Sequence, residues 1–229
     1  MPDLLTTISA TIAAIGALGT AASGLVDASK AFNGGISNVG FGKIETALRP
    51  FQDALKAAES DWTAAIKANW VNGMPKEDQK ANAKSLIRLG LSSSNAAAMA
   101  GVGHVDAEKF KAAIVAVETG AALTPEQVNI LGRFNGAIDA AMDCGFERAD
   151  QVYRNVAKLS AGIIAVLLAI AGGAMLAMDK GRSFSAYLFS AQSFQAILVG
   201  LIAVPLAPLV KDLTSSLQAA VGAIKATRA

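Results

Sequence analysis

The side chains that most often carry out catalysis are nearly absent from this chain. It contains one histidine, His104, and one cysteine, Cys144. A zinc site made from His and Cys needs more ligands than the chain has, and the serine-hydrolase pattern Gly-x-Ser-x-Gly does not occur. We interpret His104 as a surface or helix-capping residue and Cys144 as a small residue in helix packing. We therefore expect no enzyme activity, no metal site and no cofactor.

The glycine-rich segments do not match the patterns that bind nucleotides. Gly42-Lys43 is followed by Ile44 and not by Ser or Thr, so the phosphate-binding loop is excluded. The Gly-x-Gly sequences at 40–42 and 101–103 lack the third glycine of a dinucleotide site. These segments are typical of hinges and turns.

Small residues recur at a spacing that is suited to helix packing. In lipid, close approach of backbones replaces the hydrophobic driving force between helices, and small side chains permit that approach. A first stripe has a strict spacing of four residues and predicts a helix-packing interface, either within the chain or with another subunit: Ala161, Ala165, Ala169, Gly173 and Ala177. A second, shorter stripe consists of Ala13, Ala17 and Ala21.

A few polar residues stand inside otherwise apolar segments. Thr20, Ser23 and Asp27 share one face of the first predicted helix with Gly16. Gln192 and Gln195 share one face of the third predicted helix. Two interpretations stay open, because such residues either line a water-filled pore or form hydrogen bonds between helices. Asp27 either forms part of a cation-attracting ring or pairs with Lys30.

The distribution of charge indicates the class of protein. Only 17% of the residues are charged, against about 25% in an ordinary soluble domain, and mean hydropathy is +0.43. The windows 4–26, 159–178 and 183–210 contain no charged residue. Each is long enough for a helix to cross about 30 Å of hydrocarbon. The sequence therefore predicts an all-α integral membrane protein with about three transmembrane helices and a bilayer as its partner.

Other classes are excluded by the same composition. The apolar content is too high for a disordered chain. A net charge of +2 gives no excess of bases for binding nucleic acid. A single cysteine cannot form a disulfide within the chain.

The first window is the least typical of the three. It is rich in Thr, Ser, Gly and Ala, and it either spans the bilayer or packs in a protein core. A cleaved signal peptide is disfavoured, since Asp3 and no base precedes it. In the third window, Pro205 and Pro208 are expected to kink or end the helix.

The basic residues predict an orientation. Nine lie near the two ends of the segment 44–156 or after the third window, whereas only Lys180 and Arg182 lie between the second and third windows. The positive-inside rule then places the N-terminus outside and the C-terminus in the cytoplasm of a bacterial inner membrane.

Between the first two windows the pattern predicts a helical cytoplasmic domain or stalk. The predicted organisation is an N-terminal transmembrane helix at 1–32, a Gly-rich hinge at 33–43, the domain at 44–156, a transmembrane hairpin at 157–211 and an amphipathic helix at 212–229.

Several helices inside that domain have recognisable limits. Apolar spacing predicts one helix over 44–70, carrying Trp62 and Trp70, which either pack in the domain or lie at a membrane surface. Asp106 is expected to cap another helix. The sequence Thr-Pro-Glu-Gln at 124–127 predicts the start of a helix. Two alternatives stay open: this helix either continues to 178 or breaks at Gly145.

Three functions fit this organisation. The first is a homo-oligomeric membrane assembly, in its most specific form a pore or channel. The second is a scaffolding or accessory subunit of a membrane complex. The third is a helical pore-forming toxin that hides the hairpin at 157–211 until insertion.

Overall fold

The computed structural model describes the backbone of residues 4–227 and the side chains of residues 7–210. Within that range the chain is helical and contains no strand. The helices, in chain order, are α1 Leu4–Ala28, α2 Ser37–Leu48, α3 Gln52–Ala58, α4 Trp62–Val71, α5 Lys76–Leu89, α6 Ala96–Gly103, α7 Ala107–Thr119, α8 Pro125–Asp179, α9 Phe184–Leu188 and α10 Ala191–Thr227.

The helices form two compact units. The central unit is Ser37–Tyr153 and contains α2 to α7 with the first part of α8. The apolar unit consists of the described residues in 4–36 and 154–227, which include α1, the second part of α8, α9 and α10.

The core of the central unit is built around α8. Phe134, Ile138, Met142 and Phe146 follow one another every four residues and are all buried. The ring of Phe134 lies 4.7 Å from that of Phe110, centre to centre. Burying a side chain of this size stabilises a fold by about 1.5–3 kcal/mol, so each member of this row contributes to the stability of the unit.

The helix predicted over 44–70 is wrong as a single element. A 3-10 turn, Arg49–Phe51, follows α2, and Pro50 lies at its start because proline has no N–H for a helical hydrogen bond. A second interruption precedes α4, where the carboxylate of Asp61 accepts a hydrogen bond from the Ala64 N–H at 3.3 Å. Because α2, α3 and α4 each bury their apolar residues, the helical spacing of apolar residues continues across both interruptions.

The local start signals further along the chain are confirmed. Asp106 accepts a hydrogen bond from the Lys109 N–H at 2.9 Å. Thr124 and Gln127 bond to each other's backbone N–H, at 3.2 and 2.9 Å, in a reciprocal capping box at the start of α8. The helix then runs without a break to Asp179.

Gly145 therefore does not interrupt α8. A Cβ atom at this position would lie 2.6 Å from the Cβ of Ala47 on α2. The glycine is required for close approach of two helices, and of the two alternatives the continuous helix is the one observed.

The segment predicted as a Gly-rich hinge is only partly irregular. Asn33, Gly34 and Gly35 form a turn with φ angles of 52°, 87° and 47°, a conformation that favours glycine. From Ser37 the chain is helical. Gly40, inside α2, leaves room for the backbone oxygen of Ala149, 2.8 Å from where a Cβ would stand.

Three helices of the described chain are long and apolar enough to cross a membrane: Thr7–Ala31, Pro125–Asp179 and Ala191–Val210. Pro205 and Pro208 do not end α10, which continues to Thr227. The predicted limit at 211 is thus not a helix end. The side chains of the predicted amphipathic segment 212–229 lie outside those that the structure describes.

Candidate functional site: the packing faces of the apolar helices

One face of α1 packs inside the apolar unit. This inner face of α1 consists of Gly16, Gly19, Ala22 and Val26, all buried. A Cβ atom at Gly16 would collide with the side chain of Val210, and one at Gly19 would collide with the backbone oxygen of Ala203. The two glycines thus allow α1 to approach α10 at backbone distance.

Three alanines mark the point where the apolar helices meet. Ala22 of α1, Ala165 of α8 and Ala203 of α10 pack together and are fully buried. Close to them, Gly200 leaves space for the backbone of Val166. With no large side chain between the helices, many weak dispersion contacts form over the shared surface.

The predicted small-residue stripe of α8 lies partly within this packing. Ala161, Ala165 and Ala177 are buried, and Gly173 lies against the hydroxyl of Tyr187. Ala169 lines a cavity. The contacts described here are made within one chain, and a role in contacting another subunit stays a prediction.

The outward surfaces of α1 and α8 differ in chemistry. On the part of α8 that lies in the apolar unit, large apolar residues are exposed, among them Leu159, Ile163, Leu167 and Met175. On α1 the face opposite the inner face is small. We call it the outer face of α1, and its exposed members are Ala17, Ala21, Gly24 and Ala28.

The spacing of the outer face of α1 alternates regularly between four and three residues. It includes Ala17 and Ala21 from the predicted second stripe, which are exposed and do not contribute to packing inside the chain. A 4-3 alternation is a heptad repeat, which keeps one face of a helix against a neighbour that crosses at about 20°.

The polar candidates of α1 form bonds close by in sequence. The hydroxyl of Thr20 donates to the Gly16 carbonyl at 2.9 Å, and that of Ser23 donates to the Gly19 carbonyl at 3.0 Å. Asp27 is 66% exposed and pairs with Lys30 at 3.1 Å. These groups are satisfied within α1 and its C-terminal turn.

Gln192 and Gln195 both lie on α10, but their side chains have different surroundings. Gln192 accepts a hydrogen bond from the guanidinium of Arg182. Gln195 lines a cavity of about 870 Å³ that Gln192 does not line. Thr7, Thr11 and mostly apolar residues of α1, α8 and α10 form the rest of its wall.

The tryptophans and the candidate reactive residues lie in the central unit. Trp62 is buried, and the indole N–H of Trp70 donates to the Ser37 carbonyl at 2.8 Å, which supports packing in the domain over a membrane-surface role. His104 caps α6 in a left-handed conformation. Cys144 is exposed, so its expected role in helix packing is wrong.

Sequence reasoning missed a ladder of polar pairs between α5 and α8. Three lysines of α5 at a spacing of four meet three acids of α8 at the same spacing, and a fourth pair continues the register: Lys76–Glu147, Lys80–Asp143, Lys84–Asp139 and Arg88–Asn135. The four-residue period of both sets was visible in the sequence, and each set faces one side of its helix.

The Lys80–Asp143 pair of this ladder has shifted pKa values on both sides. A hydrogen bond from the Lys80 ammonium, helped by charge attraction, lowers the pKa of the Asp143 carboxyl. The same hydrogen bond raises the pKa of Lys80, against an opposing effect of burial.

The described side chains thus offer close-packing surfaces. Among them no group of three or more His, Cys, Asp or Glu residues could hold a metal ion. Comparisons of the chain with protein-family models, with curated proteins and with solved structures find no match.

Proposed function

We propose that the protein is an integral membrane protein that assembles with copies of itself. Three helices with the required length and hydropathy support membrane insertion. The large exposed residues of α8, such as Leu159 and Leu167, suit contact with acyl chains. The central unit has its own core and a charged ladder, so it suits an aqueous compartment, the cytoplasm by the basic-residue asymmetry.

The outer face of α1 carries the self-assembly proposal. Alanine and glycine make few contacts with lipid but allow two helix backbones to approach closely. The residues of the outer face are all alanine or glycine and have a heptad spacing. A second copy of α1 presents the same surface, so a symmetric contact between copies is self-complementary.

The assembly has two candidate forms, a scaffold and a pore. The local bonds of Thr20, Ser23 and Asp27 favour the scaffold, since these groups need no water-filled path. A pore requires a continuous polar path. Conductance measured in bilayers that contain the assembled protein distinguishes the two, and release of the native chain into the soluble fraction would instead indicate the toxin.

The test of self-assembly is particle size in mild detergent. We expect the wild-type particle to be a multiple of the 23.3 kDa chain. Ala17→Leu with Ala21→Leu should reduce it to one chain, because the added side chains separate the helices. Ala171→Leu, the same change at an exposed alanine of α8, should leave it intact. A wild-type particle of one chain would contradict the proposal.

A further inference from the structure

A cavity of about 240 Å³ lies in the apolar unit where the chain passes from α8 through α9 to α10. It combines basic, polar and apolar groups, which include Lys180, Arg182, Gln192, Tyr187, Gly173 and Leu176. The glycine and alanine contacts that bring the three apolar helices together involve neither of the two bases.

Tyr187 provides the most specific feature of the cavity. The side chain is only 2% exposed, and its hydroxyl is buried without a hydrogen-bond partner among the described residues. That hydroxyl lies against Gly173, where any Cβ atom would collide with it. Buried tyrosine hydroxyls normally have a partner, so the cavity wall carries a donor that a ligand oxygen can satisfy.

The two bases have most of their donor capacity available. Lys180 forms no ion pair with the residues whose side chains are described. Arg182 donates to the side chain of Gln192 and to the Ala186 carbonyl, out of five N–H groups in a planar fork that matches phosphate. Asp179 is not among the residues that line the cavity.

The surroundings of the cavity suit the headgroup level of a bilayer. The segment around α9 exposes large apolar side chains, with Phe184 51% and Phe189 90% exposed. Phe and Leu side chains exposed beside polar residues are typical of segments that lie at the boundary between headgroups and acyl chains. Leu176 and Ala196 add an apolar wall next to the bases.

We propose that this cavity binds the phosphate group of an anionic phospholipid. Lys180 and Arg182 neutralise the phosphate, the hydroxyl of Tyr187 donates to one of its oxygens, and the apolar part of the lipid lies against Leu176 and Ala196. Inorganic phosphate offers the same anion without that apolar part. The inference rests on membrane insertion, but it does not depend on self-assembly.

The experiment uses the full chain in non-ionic detergent. Binding of phosphatidylglycerol is measured by native mass spectrometry and by the rise in melting temperature, with inorganic phosphate and diacylglycerol as parallel ligands. We expect phosphatidylglycerol alone to bind tightly. Lys180→Gln and Arg182→Gln should each weaken binding about tenfold, the effect of losing one charge-assisted hydrogen bond. Lys158→Gln, at another exposed base beside an apolar window, should not.

Tyr187→Phe separates ligand binding from folding, because it removes only the hydroxyl. Without lipid, we expect the variant to melt at the same temperature or higher, since no unpaired hydroxyl is buried. With lipid, its gain in melting temperature should be smaller than that of the wild type. The proposal is overturned if Tyr187→Phe keeps the full gain, or if Lys180→Gln and Arg182→Gln behave as Lys158→Gln does.

The parallel ligands identify the source of the phosphate. If inorganic phosphate binds with the same dependence on these residues and phosphatidylglycerol does not, the phosphate chemistry is supported and the lipid source is overturned. Equal binding of diacylglycerol would overturn both. Particle size measured in the same samples reports self-assembly separately.

Discussion

Gly19 and Gly24 lie on the same helix but in opposite surroundings. A Cβ atom at Gly19 would collide with the Ala203 backbone, whereas one at Gly24 would meet no atom within 4 Å. Gly19→Ala should therefore destabilise the apolar unit by about 1–3 kcal/mol, the usual cost of overpacking. Gly24→Ala should be neutral or stabilising by up to about 1 kcal/mol, because alanine is the better helix former.

Thermal melting of the full chain in detergent measures this difference. Both variants add one methyl group to the same helix, so the comparison removes any general effect of the substitution. If both melt at the same temperature, the inner face of α1 is not packed as described.

At the residue scale, the sequence predicted hydrogen bonds between residues close in sequence better than it predicted contacts between helices. The capping box at Thr124 and Gln127 was predictable because both groups act within four residues. The inner face of α1 was not, since in an Ala-rich helix every face is small and the choice depends on Val210 and Ala203. Cys144 looked like a packing residue for the same reason.

At the scale of elements, long helices were easier to predict than the limits of short ones. The long α8 follows from a strong start signal and a persistent apolar period. Between α2 and α4 the period also persists, but Pro50 and Asp61 interrupt the backbone hydrogen bonds. The ladder between α5 and α8 depends on pairing of distant segments, which no single helix reveals.

The ladder predicts a pH dependence for the central unit. Because the pKa of Asp143 is lowered in the fold, its contribution to stability is complete above the ordinary carboxyl pKa of about 3.9 and is lost as the pH falls through the lowered value. Because the pKa of Lys80 is raised, the same pair contributes below about pH 10.4 and is lost as the pH rises through the raised value.

Urea unfolding followed by tryptophan fluorescence checks this expectation. Both tryptophans, Trp62 and Trp70, lie in the central unit and report on it alone. Asp143→Asn should reduce the loss of stability in acid, whereas Asp53→Asn, at a carboxylate outside the ladder, should not. If wild type and Asp143→Asn lose the same free energy of unfolding as the pH falls, the assigned pair is contradicted.

At the scale of the whole molecule, composition was sufficient to predict an all-helical chain with three candidate spans. The charge-free windows carry that information because each residue in a span must tolerate hydrocarbon. Composition could not predict which small-residue faces pack inside the chain and which remain exposed. That choice depends on contacts between helices far apart in sequence, such as those of Ala22, Ala165 and Ala203.

The proposed orientation gives the last prediction, for which the chain supplies its own probe. Cys144 is the only cysteine, and it is exposed on the central unit. A membrane-impermeant maleimide should therefore label it in inverted inner-membrane vesicles and not in intact spheroplasts, since the basic residues predict a cytoplasmic position for this unit. Cys144→Ser combined with Phe189→Cys moves the probe to the 90% exposed position beside α9, and its labelling should show the opposite sidedness. Labelling of Cys144 only from the outside would reverse the topology, and labelling of both positions from the same side would show that α8 and α10 do not form a transmembrane hairpin.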